Sequence, residues 1–214
     1  MRNHSDFVVS FGIPDIFCGI YQKVLLLYMV VMALYFAGYN QYGYLMPIDL
    51  ARVHGDSGAV IYGSVSSLNC IIVVAFTPLL TILLAKVSYT KKIIISIFLV
   101  LIGYIVFLAG LGFVPVYYLA ITLFTWGEIL STITSGPYIT ERIPASHRGR
   151  VTSVTGVIQS IIQAIAMYLS GVLFDHFGSA TAWCFVFATL FVAVLLSIIM
   201  SREDRKAYQE LYVK

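Results

Sequence analysis

The chain has 214 residues, of which 60% are hydrophobic and 11% are charged, and its formal net charge is +3. An average soluble domain carries roughly a quarter charged residues. A water-soluble fold of this length has no interior large enough for so much apolar surface, so the composition excludes an ordinary soluble domain and indicates a membrane protein.

The apolar residues form six long runs rather than amphipathic stripes. These runs cover residues 24–46, 58–84, 93–113, 116–138, 151–174 and 181–200. Because about 20 helical residues cross the hydrocarbon of a bilayer, each run is long enough for one span. The sequence predicts an all-α membrane protein with a six-helix bundle at residues 23–200. A cytoplasmic N-terminal segment, residues 1–22, precedes it, and a cytoplasmic tail, residues 201–214, follows it.

The positions of Lys and Arg predict the orientation of the chain, because cytoplasmic loops hold an excess of both residues. With the N-terminus inside, all 13 Lys and Arg residues except Arg52 fall on the inner side. We therefore predict a multi-pass protein of the plasma membrane with both termini in the cytoplasm. The positive net charge reflects this topology, and nucleic acid is not a predicted partner.

The sequence has no constellation typical of an enzyme or a metal centre. Cys18, Cys70 and Cys184 are far apart and lack metal-ligand spacing, so we interpret them as small apolar residues. Ser64 lies in a Gly-Ser-Val-Ser-Ser stretch, but no histidine lies inside a span to act as its base. A nucleotide-binding P-loop is also missing, so we predict neither catalysis nor a cofactor, and any transport would draw on an ion gradient or on another subunit.

Polar residues are distributed unevenly among the six predicted helices. The first, second, fourth and fifth are rich in Ser, Thr, Tyr, Asn and Gln, whereas the third and sixth are nearly pure Ile, Leu, Val, Phe and Ala. Polar side chains in hydrocarbon tend to face a protein interior or a water-filled cavity. The repeated order of two polar helices and one apolar helix predicts two three-helix inverted repeats, with the third and sixth helices facing lipid.

Glu128 is the only acid well inside an apolar run, about midway along the fourth helix. A carboxyl group in hydrocarbon is favoured in its neutral form, and it changes charge when water or a cation reaches it. We predict that Glu128 is the proton-coupling residue. The alternative is a permanently protonated acid that bonds to a neighbouring helix.

Further polar residues are candidates for a substrate path. Gln159 and Gln163 lie four residues apart on one helix face, which suits either a polar cavity wall or contacts between helices. Tyrosines recur along one stripe of the first helix, where the glycines of Gly38-Tyr39-Asn40-Gln41-Tyr42-Gly43 permit a local break; packing or interfacial anchoring is the alternative. The predicted substrate-path residues are Tyr35, Tyr39, Asn40, Asn69, Gln159 and Gln163.

Several motifs carry a resemblance to a known family. They are Gly127-Glu128 to Pro137, Arg142-Ile143-Pro144, Arg148-Gly149-Arg150 and Gly171-Val172-Leu173-Phe174-Asp175 to Gly178. Together they resemble the tenth and eleventh helices of major facilitator superfamily transporters, especially the bacterial drug:proton antiporters. The stretch around Tyr39 resembles the seventh helix of that group, and the likeness extends over about residues 21–200.

The resemblance implies that the chain is equivalent to the C-terminal half of a twelve-helix transporter. It also implies that the first, second, fourth and fifth helices line the cavity or face the other half. The basic residues of the cytoplasmic loops would take part in gating. These are Lys91, Lys92, Arg142, Arg148 and Arg150.

The expected function is transport by one half of a major facilitator protein, with proton-coupled export of small amphipathic compounds by antiport, as in multidrug efflux. Alternating access needs two bundles around one site, so the expected partner is a second six-helix half. A second copy of the chain and a separately encoded N-terminal half both meet this need. The alternative function is that of a non-transporting membrane subunit or a truncated, inactive remnant of such a transporter.

Overall fold

The computed structural model describes residues 23–212, so the predicted segment 1–22 and the last two residues of the predicted tail lie outside the described residues. The part of the chain that is described is helical and contains no strand. Its helices are α1 (Lys23–Tyr39), α2 (Leu45–His54), α3 (Ser57–Leu83), α4 (Tyr89–Ala109), α5 (Val114–Arg142), α6 (Ala145–Phe177) and α7 (Ser179–Ala207). Two short 3₁₀ helices cover Asn40–Gly43 and Gln209–Leu211.

Within the described residues, six helical segments are long and apolar enough to cross a membrane. The first is composite and runs from Lys23 to His54 through α1, the 3₁₀ turn and α2, and the other five are α3 to α7. This confirms the prediction of an all-α protein with six spans. The first span extends beyond the predicted end at residue 46, because the helix continues as the more polar α2.

The first span is interrupted where its glycines permit a break, since α1 ends at Tyr39 and the backbone continues as a 3₁₀ turn. Carbonyl groups at the end of a helix need donors other than the next helical turn. The side-chain amide of Asn40 donates to Phe36 O at 2.7 Å, and that of Gln41 donates to Ala37 O at 3.2 Å. These local bonds allow α1 to end inside an apolar span.

The six spans differ in how far the bundle encloses them. The buried share of the apolar window is 61% in the first span and 50% in the fourth, but only 22% in the second and 11% in the fifth. The third and sixth lie between these values, at 44% and 33%. The first span and α5 therefore form the centre of the described bundle, and α3 and α6 form its most open sides.

The expectation that the third and sixth spans face outward holds for only one side of each. On α4, Phe98 is 52% exposed whereas Tyr104 is fully buried. The rings of Tyr104 and Phe107 pack against Trp183 of α7, at centroid distances of 5.0 and 5.8 Å. The expectation was too broad because an aromatic side chain that packs between helices is as apolar as one that faces outward.

Helices α4 and α5 approach each other closely at two glycines. A Cβ atom on Gly127 of α5 would lie 2.7 Å from the carbonyl oxygen of Ser96, and one on Gly103 of α4 would lie 3.0 Å from the carbonyl oxygen of Ala120. Small residues allow such backbone contact between membrane helices. These two positions therefore set the spacing of α4 and α5.

We predict that Gly127→Ala lowers the free energy of unfolding by about 1–3 kcal/mol, because the added methyl group meets backbone rather than a movable side chain. The measurement is the unfolding midpoint of the purified chain in mixed micelles. Gly136→Ala is the matched control on the same helix, since a Cβ there meets nothing within 4 Å. Equal midpoints for the two variants would contradict the proposed close approach.

Candidate functional site

Glu128 lies half-buried on α5 and connects three spans through its carboxyl group. Tyr39, at the end of α1, donates its hydroxyl proton to Glu128 Oε1 at 2.7 Å. Asn69 of α3 donates from Nδ2 to Glu128 Oε2, also at 2.7 Å. The same Nδ2 donates its second proton to Thr125 Oγ1 at 2.8 Å. The structure thus brings together Tyr39, Asn69 and Glu128, which are far apart in the sequence.

The partners of Glu128 are neutral, and no ion pair of Glu128 is found among residues 23–212. Both partners donate, so the present geometry suits a carboxylate. A protonated carboxyl has one O–H donor, and its protonated oxygen is a weaker acceptor than a carboxylate oxygen. Tyr39 can reverse its bond and accept a proton from Oε1, whereas the Asn69 amide nitrogen can only donate. A proton on Oε2 would therefore weaken the contact with α3.

Aromatic rings surround this carboxyl group on one side. The ring of Tyr39 stacks on Phe124 with centroids 5.1 Å apart and on Tyr35 at 5.9 Å. Tyr42 contacts Phe124 at 5.0 Å and Tyr62 of α3 at 5.6 Å. We refer to these five rings as the aromatic cluster. The break after Tyr39 helps to form the aromatic cluster, because the 3₁₀ turn places Tyr42 beside Phe124, which Tyr39 also contacts.

Tyr35 is fully buried beneath Tyr39, and its hydroxyl has no hydrogen-bond partner within the described part of the chain. The hydroxyls of Ser96 on α4 and Thr134 on α5 are also buried and unpaired there. Buried polar groups usually have partners, and the side chains of Ser96 and Ser131 interact with the Tyr35 hydroxyl without ideal hydrogen-bond geometry.

The remaining predicted substrate-path residues do not contact Glu128. The Asn40 amide is used at the end of α1, as described above, and Gln163 lies with Nε2 4.0 Å from Met167 Sδ on its own helix. Gln159 is half-buried and makes no hydrogen bond with any described residue. The contact from α6 to the first span is instead made by Ser170, whose hydroxyl donates to Gln41 Oε1 at 3.0 Å. A path lined by the two glutamines stays a prediction.

One end of the bundle carries a buried ion pair that sequence reasoning did not identify. Arg142, at the end of α5, binds Asp204 of α7 through two bonds of 2.7 Å, from Nε to Oδ1 and from Nη2 to Oδ2. Tyr138 donates to Oδ1 at 2.9 Å, and Tyr212 donates to Oδ2. Asp204 is fully buried. The sequence pattern does not indicate its burial, because Asp204 lies in the predicted tail, beyond the last apolar run.

The other predicted gating residues at this end have separate surroundings. Lys92 is buried with its ammonium group 4.4 Å from the Tyr89 ring centroid, whereas Lys91 is exposed. Arg148 donates to the carbonyl oxygens of Ile143 at 2.9 Å and Thr140 at 2.6 Å. Arg150 is exposed. Of the five predicted residues, only Arg142 joins two spans by an ion pair, and a gating role for the set stays a prediction.

A second buried carboxylate lies at the opposite end. Asp49 of α2 accepts bonds from the Ser179 hydroxyl at 2.7 and 2.9 Å and from Trp183 Nε1 at 2.5 Å. These contacts attach α2 to the start of α7. The sequence pattern does not indicate these contacts, since Asp49 lies between the first and second predicted runs.

We predict that Asp204→Ala destabilises the protein by about 3–5 kcal/mol, because it removes both close bonds of the buried Arg142 guanidinium and leaves only the exposed Glu141 carboxylate, at 3.8 Å, as a counter-charge. Glu203→Ala is the matched control in the adjacent position. It removes only the exposed pairs with Lys23 and Lys206, each at 3.1 Å, and should have a much smaller effect. The measurement is the free energy of unfolding of both variants in mixed micelles. A similar loss of stability in the two would contradict a special role for Asp204.

The comparison with known protein families agrees with this architecture. The Major Facilitator Superfamily profile matches residues 27–211, which include all six candidate spans almost completely. No curated protein sequence matches the chain. Members of this superfamily are membrane transporters rather than enzymes. Because the match extends over far more than half of its length, the chain belongs to the major facilitator superfamily.

Proposed function

We propose that this chain is one six-helix half of a proton-coupled transporter, which exports small amphipathic compounds across the plasma membrane together with a second six-helix half. Both termini are cytoplasmic in this proposal, as the distribution of Lys and Arg predicts. The observation that carries it is the carboxyl group of Glu128, bound to two other spans without a cationic partner in the described chain.

Glu128 is suited to proton coupling because its protonation changes contacts between helices. As a carboxylate it accepts bonds from Tyr39 of α1 and Asn69 of α3. A carboxylate is costly in a region closed to water, and the neutral acid is favoured there. Arrival of a proton therefore reverses the bond with Tyr39 of α1 or weakens the bond with Asn69 of α3, according to the oxygen that it binds, and arrival of water or a cationic substrate restores the charged form. This alternation is what an antiporter requires.

The aromatic cluster indicates which compounds the site favours. Tyr39, Tyr42 and Tyr62 are only half-buried, so part of each ring is accessible beside the carboxylate. Aromatic faces attract cations and also pack against apolar groups. A small molecule with a positive charge and an apolar body would satisfy both Glu128 and the rings, which supports amphipathic cations as substrates.

The second half is proposed from the open sides of the bundle. Helices α3 and α6 are the least enclosed spans, with Val74 78% and Tyr168 71% exposed. The hydroxyls of the exposed Ser67 and Ser160 bond to carbonyl oxygens of their own helices, but the half-buried Gln159 of α6 makes no hydrogen bond with any described residue. Polar groups are costly against lipid, so a protein partner on these sides is favoured over hydrocarbon.

We expect the chain to associate through α3 and α6 in a native-like bilayer. A second copy in the same orientation would pair α3 of one protomer with α6 of the other about an axis along the membrane normal. Val74 and Ile161 are exposed and lie at similar distances along their spans. Val74→Cys/Ile161→Cys, made with Cys18, Cys70 and Cys184 replaced by alanine, should form disulfide-linked dimers upon oxidation in liposomes.

The matched control is Phe98→Cys/Phe191→Cys, which places cysteines at equally exposed positions of α4 and α7. This pair should stay monomeric under the same oxidation. Dimers from the control alone would contradict pairing through α3 and α6. A strictly monomeric and fully stable chain at every lipid ratio would exclude a second copy as the partner, would count against any partner half and would favour the alternative of a non-transporting, self-contained bundle.

We predict that Glu128→Gln abolishes transport driven by a pH gradient in everted vesicles, because glutamine keeps the shape and hydrogen bonding of the neutral acid but cannot release a proton. Downhill exchange of bound substrate should survive, since it moves no proton. Glu128→Asp should retain part of the activity. The measurement is uptake of a fluorescent amphipathic cation by vesicles that contain the assembled protein.

Glu141→Gln is the control for this experiment. It makes the same chemical change on the same helix, at an exposed carboxyl beside Arg142. It should transport at the wild-type rate. If Glu128→Gln also transports at the wild-type rate under a pH gradient alone, Glu128 is a structural hydrogen-bonding residue and the coupling group lies elsewhere.

A further inference from the structure

A cavity of 590 Å³ lies at the end of the bundle that carries the arginine–aspartate pair. It is formed by the connection between α3 and α4, the first turn of α4, the end of α7 and the 3₁₀ turn after it. We refer to it as the basic cavity. The residues that line it are Lys86, Val87, Ser88, Lys91, Arg205, Gln209 and Tyr212. Three cationic side chains therefore converge on one concave surface.

These three cations have no carboxylate partner within 4 Å in the described part of the chain. Arg205 lies with its guanidinium carbon 5.6 Å from the Tyr212 ring centroid, a contact that leaves its charge unneutralised. Asp204 is next to Arg205 in the sequence, but Arg142, Tyr138 and Tyr212 already occupy its oxygens. The positive charge of the cavity is therefore uncompensated by nearby described acids.

The backbone adds to this positive field. Ser88 precedes the first turn of α4, a helix of 21 residues, and its side chain makes no capping hydrogen bond. Its hydroxyl oxygen is buried and has no partner among residues 23–212. A helix N-terminus carries unsatisfied N–H groups and a partial positive charge, which favour anions. Ser88 and Lys91 both line the cavity, so the positive end of α4 lies at its edge.

We propose that the basic cavity binds a phosphate group, the chemistry shared by the headgroups of anionic phospholipids and by free phosphate. The cavity lies where the spans end, at the level that headgroups occupy in a bilayer. Basic pockets between membrane helices on the cytoplasmic side are typical sites for anionic headgroups. Ile82 and Leu83, at the adjacent end of α3, are 74% and 65% exposed and offer an apolar surface for acyl chains.

The test is native mass spectrometry of the purified full chain, titrated with phosphatidylglycerol and, separately, with zwitterionic phosphatidylcholine. The variant Lys86→Gln/Lys91→Gln/Arg205→Gln removes the three cations, which are all exposed, so the fold should be retained. We expect it to bind phosphatidylglycerol about tenfold more weakly than the wild type, with little change for phosphatidylcholine.

A matched control separates the cavity from general attraction to anions. Arg150→Gln/Arg202→Gln/Lys206→Gln removes the same charge from exposed positions at the same end but outside the cavity. Its affinity for phosphatidylglycerol should stay within about twofold of the wild-type value. Equal losses in the two triple variants would overturn the proposal, because they would show that diffuse charge alone attracts the lipid.

Competition by inorganic phosphate distinguishes the two sources. Displacement of phosphatidylglycerol only at high phosphate concentration supports a lipid site, whereas tight binding of phosphate with no added affinity for the lipid supports a site for the free anion. Either result upholds phosphate recognition if the triple variant of Lys86, Lys91 and Arg205 loses binding of the probe and the control triple variant keeps it. Failure of the wild type to bind either probe would overturn the proposal. The outcome is independent of transport, and hence of the role of Glu128.

Discussion

The hydroxyl of Tyr104 lies 2.9 Å from the carbonyl oxygens of both Gly38 and Tyr39, at the point where the first span changes from α-helix to 3₁₀ helix. A backbone break at this depth is tolerated only where protein groups satisfy the freed carbonyls, because hydrocarbon offers no donor. Tyr104 supplies that donor from the third span. The position of Tyr39, and with it the contact with Glu128, depends on this bond across the bundle.

Close packing against α7 adds a second constraint at the end of α1, where Gly38 lies. A Cβ atom at this position would lie 2.5 Å from the Leu190 side chain of α7, so a larger residue would displace that side chain from its contact with the first span. At Gly38 the end of α1 therefore both packs closely against Leu190 and accepts a hydrogen bond from Tyr104. Together these contacts fix the end of α1 and direct Tyr39 and Tyr42 toward Phe124.

The polar contacts of the bundle fall at three levels, each with a different chemistry. At one end Asp49 joins α2 to α7 through neutral donors, and at the other Asp204 joins α7 to α5 through a guanidinium group. Glu128 lies between them. In this chain the carboxyl group at the middle level is the only one of the three that is partly accessible. The two fully enclosed acids join helices through several bonds each, whereas Glu128, to which we assign proton coupling in our proposal, is accessible from outside the described bundle.

The sequence by itself determined the class of protein and the six spans, because a chain that crosses hydrocarbon must have long runs of apolar residues. It also singled out Glu128, whose role in proton coupling stays a prediction. It could not determine which polar residues meet. Asn69 binds Glu128 whereas Gln159 does not, and periodicity within one helix carries no information about its neighbours. Only the tertiary structure revealed the contacts of Asp49 and Asp204, since both lie beyond the apolar runs and acquire their burial from partners distant in sequence.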